Sequence, residues 1–157
     1  MNLPFDHLTV LQVEELFNAP VWVAFLIAGV DGVVDAAEHS RAAELVHIKS
    51  FSEKADLVDF YKALEPEFEL RFMKAATALP SLRDERNKQL VEKLSKLNEV
   101  LDLLPYRFAL HYYKSLRNYA VHIANAAGGL AGLFQISEAE KEYLHLSMLH
   151  EPTHHTE

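Results

Sequence analysis

The chain has no cysteine, which excludes disulfides, thiolate metal sites and cysteine nucleophiles together. Glycine and proline are scarce, five and six in 157 residues. No stretch alternates apolar and polar residues over the length of a strand, so a turn-rich β fold is not expected. Basic residues number 15 against 23 acidic ones, for a net charge of −8. They form no stripe, and a nucleic-acid surface therefore has no support. Long hydrophobic runs are missing as well. The longest, Ala19 to Val30, holds about a dozen residues where a bilayer span takes roughly twenty, so no integral membrane segment is expected. The opening Met-Asn-Leu-Pro-Phe-Asp-His lacks the basic and apolar regions of a signal peptide, and a cytoplasmic location follows as the expectation.

What is present is apolar content at 50% of the residues, enough for one sizeable core in a chain of this length. Residues 1–150 are expected to form a single helical domain, and 151–157, with His154 and His155, a polar and disordered tail. The spacing of apolar residues and caps predicts about eight helices. The first runs from Thr9 to Phe17, and Pro20 opens an apolar second helix that ends at Gly32. The third spans Asp35 to Ile48, Ser50-x-x-Glu53 caps the fourth, and Pro66 opens a fifth that stops before Pro80. The sixth covers Ser81 to Leu103, the seventh follows Pro105, and the eighth begins at Ser137.

Helical periodicity assigns Trp22, Phe25, Leu26, Leu94, Leu97, Phe108, Tyr119 and Ile123 to the core. The leucines at 90, 94, 97, 101 and 104 alternate steps of four and three. This seam is expected to be buried within the chain, with a homodimer interface as its alternative use. On the seventh helix, His111, Ser115, Asn118, His122 and Asn125 form a polar stripe. Its two histidines lie eleven residues apart, or roughly 16 Å, too far to share one metal, and a solvated or hydrogen-bonded face is expected.

The densest motif is Ala28-Gly-Val-Asp31-Gly32-Val-Val34-Asp35-Ala-Ala-Glu38, with a looser echo at Ile136-Ser137-Glu-Ala-Glu140. An apolar helix, a tight acidic turn and a capped helix thus occur twice, implying an all-α compact bundle in two pseudo-repeated halves. Gly32 can end one helix, Asp35 can accept from the backbone N–H groups of the next, and Glu38 can close a capping box. Alternatively Asp31, Asp35 and Glu38 supply oxygen ligands for calcium or magnesium, relieving the repulsion among three carboxylates. The second turn offers no counterpart to Asp31 and is not expected to bind a cation. The pattern Ala28, Asp31, Gly32, Val34, Asp35, Glu38 resembles the tellurite-resistance TerB family and its wider TerB-like helical superfamily. That resemblance implies a two-halved helical domain and a cytoplasmic, stress-associated binding or scaffolding role with protein partners. It also implies divalent-cation dependence through the acidic turn, and no established enzymatic activity.

Two rivals come from other residues. Glu44/His47 and Glu142/His145 are Glu-x-x-His pairs, the spacing that di-iron carboxylate bundles use with two further glutamates. A plain helical oligomerisation domain would instead bury the leucine seam between subunits.

Overall fold

The computed structural model describes residues 3–28, 36–134 and 143–154, the stretch 126–134 by its helical backbone alone. The described residues contain five α-helices: α1 Val10–Ala28, α2 Ala36–Ser52, α3 Ala55–Ala78, α4 Arg83–Asp102 and α5 Tyr106–Phe134. No strand occurs among them.

The expectation of about eight helices in two repeated halves is thereby corrected to a succession of five. Two local signals account for two of the three helices by which the numbers differ, and the expected eighth helix starts at Ser137, outside the described residues. Pro20 lies inside α1 and Pro66 inside α3 rather than opening new helices. A proline in a helix interior lacks the N–H that would reach the carbonyl four residues back. For Pro20 that carbonyl belongs to Leu16, and the Tyr112 hydroxyl donates to it at 2.7 Å. Burial pushes the Tyr112 hydroxyl pKa well above its ordinary value, keeping the proton on the donor. For Pro66 the carbonyl is that of Lys62, an exposed residue. A helix start is displaced as well: Ser50-x-x-Glu53 caps nothing, because Ser50 sits within α2, where its Oγ donates to the His47 carbonyl at 2.6 Å, and the next helix begins at Ala55. The echo at residues 136–140 lies outside the described residues, as do Asp31 and Asp35.

α1 is the central element. Every residue from Ala19 to Ala28 is buried, because α3, α4 and α5 all pack against it. α1 is long and apolar enough to cross a membrane, and more than half of that stretch is buried inside the protein. A helix apolar on all sides fits the centre of a bundle equally well. The leucine seam of α4 faces this helix, with Leu90, Leu94 and Leu97 fully buried and Leu101 and Leu104 nearly so. All eight expected core residues are buried.

α2 and α3 form a helical hairpin joined at Glu53 and Lys54. His39 stacks on Phe72 at 3.9 Å between ring centroids. Its Nε2 approaches Glu69 to 3.0 Å, an ion-pairing distance without a hydrogen bond. After α5, Leu146 and Leu149 return to the core, and the Asn98 amide clamps that segment. Its Nδ2 donates to the Met148 carbonyl and its Oδ1 accepts from the His150 N–H, both at 2.9 Å. Of the polar tail, Pro152 is half-buried and His154 meets the Tyr106 ring edge-on.

Candidate functional site

Two helix faces converge on a groove of about 440 Å³. From α2 come Leu45, Ile48, Lys49 and Ser52, spaced as one helical face. From α5 come His111, Lys114, Ser115, Asn118 and His122, spaced the same way. Glu53 and Lys54, the hairpin joint, close one end. The polar stripe foreseen on the penultimate predicted helix is thus one wall of a concave surface, apart from exposed Asn125, which does not line it.

Beneath the groove runs a buried polar chain. The Lys49 ammonium, only 6% exposed at its side chain, donates to Glu53 Oε1 at 2.6 Å and to Asn118 Oδ1 at 3.1 Å. The Tyr61 ring lies 5.7 Å from it, a cation–π distance. Glu53 Oε1 also accepts from Ser115 Oγ at 2.8 Å. Because the single Ser115 proton goes to Glu53, the 2.7 Å contact between Tyr61 and Ser115 is made by the Tyr61 hydroxyl donating. The order is therefore Tyr61 to Ser115 to Glu53, with Lys49 donating to Glu53 from the other side. Burial, reinforced by the Glu53 charge, raises the Tyr61 pKa far above its ordinary value despite the opposing hydrogen bond with Ser115.

At the closed end, His111 Nδ1 lies 2.8 and 3.0 Å from the two Asp56 oxygens. That contact ties α5 to the first turn of α3. At the open end, burial lowers the His122 pKa, and the positive charges of Lys49 and Arg41 lower it further.

A second groove, about 470 Å³, lies among α1, α3 and α4. Its central cation is spoken for. Arg71 donates to both Glu14 oxygens at 2.9 and 3.0 Å, to Glu67 at 2.8 Å and to Asn18 at 3.0 Å. The hydrogen bonds from Arg71 hold the Glu14 carboxyl below its ordinary range. This cluster joins helices and leaves Arg71 little capacity for a ligand.

Of the expected cation ligands, Asp31 and Asp35 fall outside the described residues, while Glu38 stands in the first turn of α2. Glu38 is eleven positions, or roughly 16 Å, from Lys49 along the same helix and takes no part in the groove. Of the four Glu-x-x-His residues, Glu44 pairs with Arg41 at 3.1 Å and His47 with Glu65 across the hairpin. His145 is exposed, and Glu142 lies outside the described residues.

Lys49, Glu53 and Tyr61 were not singled out as functional by the sequence. A usable signal did exist: Lys49 interrupts the apolar face Leu45, Ile48, and Glu53 stands one turn later. Comparison of the chain with protein-family models, curated proteins and solved structures gives no match. The molecule is thus placed by its own geometry, as an all-α protein with five helices among the described residues and a polar groove over a buried lysine.

Proposed function

We propose that the chain is a helical binding module whose ligand enters the groove between α2 and α5. The observation that carries this is Lys49, a charge withdrawn from water beneath a surface concavity and satisfied by Glu53 of the hairpin joint, Asn118 of α5 and the Tyr61 ring of α3. Replacing a buried ion pair by well-packed apolar residues of the same volume is often neutral or stabilising, so such a pair is weak evidence of a stabilising role. Its presence under a groove therefore fits a ligand-facing purpose better than a structural one. A role without chemistry of its own is supported by the hydroxyls available: Ser115 is 3% exposed with its proton committed to Glu53, and Tyr61 is fully buried and holds its proton firmly.

The test is an NMR titration with three compact aromatics: benzoate, benzyl alcohol and benzamidinium. At least one should shift the backbone amides of residues 45–54 and 111–122 saturably, at roughly millimolar concentration for a ligand of that size. Ser52→Trp, which fills the groove from an exposed lining position outside the buried polar chain, should abolish those shifts. Shifts confined to other surfaces, or none at all, would remove the groove as the binding surface.

The resemblance to the TerB-like superfamily extends this proposal to a stress-associated scaffolding role, with a divalent cation held weakly at Asp31, Asp35 and Glu38. Calorimetric titration with calcium and with magnesium tests it. Heat of binding in the wild type that disappears in Asp31→Asn is the expected result. A wild type silent to both ions removes the cation from the proposal.

A further inference from the structure

The charge lining the groove is opposite to that of the molecule. With a net charge of −8 and 23 acidic side chains in the chain, the lining nevertheless contains Lys49, Lys54 and Lys114 against one carboxylate, Glu53. Glu53 neutralises Lys49. Lys54 and Lys114 are exposed and make no ion pair among the described residues. Lys54 is moreover the N-cap of α3, and it provides no side-chain hydrogen bond to that helix's first turn. The uncapped N–H groups there add partial positive charge beside the two ammonium groups. Asp56, the carboxylate in that turn, is occupied by His111. On the α2 wall, Leu45 and half-buried Ile48 offer an apolar surface.

We infer that the group recognised is a carboxylate or phosphate on a compact apolar body, with the oxyanion seated at Lys54, Lys114 and the start of α3 and the body lying on Leu45 and Ile48. This rests on the groove being the binding surface. The Asn118 amide nitrogen is a further donor at the wall, since Asn118 already uses its oxygen to accept from Lys49. His122, near the opposite rim, lies in a field made positive by Lys49 and Arg41. An anion entering the groove offsets that field and raises the His122 pKa. By linkage, such an anion binds more tightly as pH falls through the His122 titration.

The experiment compares benzoate and phenyl phosphate with benzyl alcohol and benzamidinium, each titrated into the full chain and followed by backbone amides and by the His122 ring resonance. Either anion should bind at least about tenfold more tightly than benzamidinium, the scale of one charge-assisted hydrogen bond. The arm that binds more tightly identifies carboxylate or phosphate as the source. The double variant Lys54→Met/Lys114→Met, in which both changes are at exposed positions, should erase that preference and leave the benzyl alcohol shifts unchanged. The His122 pKa should rise on saturation with the preferred anion in the wild type. Groove shifts of equal strength for benzyl alcohol and benzoate, or a preference for benzamidinium, would overturn the anion inference and leave the groove intact as a site. Loss of groove shifts for every probe would overturn both.

Discussion

Glu53→Ala is expected to destabilise the protein by about 3–5 kcal/mol, because it removes the carboxylate that compensates a buried ammonium. Lys49 is left with the Asn118 oxygen, and Ser115 loses the acceptor for its proton. Glu53 is itself 18% exposed at its side chain, so water entering the vacated space should bring the loss toward the lower end of that range. The double variant Lys49→Met/Glu53→Leu replaces the pair by apolar volume. It should recover most of the loss or exceed wild-type stability. Urea unfolding with an unchanged m-value provides the measurement. If the double variant were as unstable as Glu53→Ala, the network would be holding the helices together, and the case for a ligand-facing lysine would fail.

Tyr112→Phe should cost about 1–3 kcal/mol, the penalty for orphaning a buried carbonyl. The diagnostic feature is its dependence on a proline in another helix. In a Pro20→Ala background, residue 20 regains an N–H able to reach the Leu16 carbonyl, and loss of the Tyr112 hydroxyl should cost much less. A coupling energy on the order of 1 kcal/mol between positions 20 and 112 is the expected outcome of the cycle. Additive effects would mean that the Leu16 carbonyl is satisfied in some other way.

The same bond explains what sequence patterning could and could not reach. Burial of Trp22, Phe25, Leu26, Leu94, Leu97, Phe108, Tyr119 and Ile123 was legible because helical periodicity records which face meets the core. Helix number was not. Pro20 carries a strong local signal for a helix start, and the group that overrides it is a hydroxyl 96 residues away from Leu16 in sequence. At Pro66 the carbonyl left without its helical donor belongs to an exposed residue, Lys62. At Ser50, a cap signal lost to continued α2, whose last turn is held to α5 through Lys49 and Asn118. The candidate site divides the same way. The α5 stripe was visible as a polar face, since one helix contains it all. Its meaning depended on Lys49, Glu53 and Tyr61, supplied by α2, the hairpin joint and α3, and no single-helix pattern brings those together.

The central position of α1 also has a consequence for the order of events at the ribosome. Its most extensive partners, α4 and α5, come later in the chain than α2 and α3. About 80 residues separate the end of α1 from the start of α5, which at about 5–20 residues per second is roughly 4–16 s of synthesis. Until α4 is made, a helix apolar enough to pass for a membrane span has only the α2–α3 hairpin to cover it, and until α5 is made it lacks its most extensive partner. The hairpin that shapes one end of the groove is therefore also the first shelter of the nascent core, and substitutions that weaken it should lower soluble yield during synthesis more than they lower the stability of the finished fold.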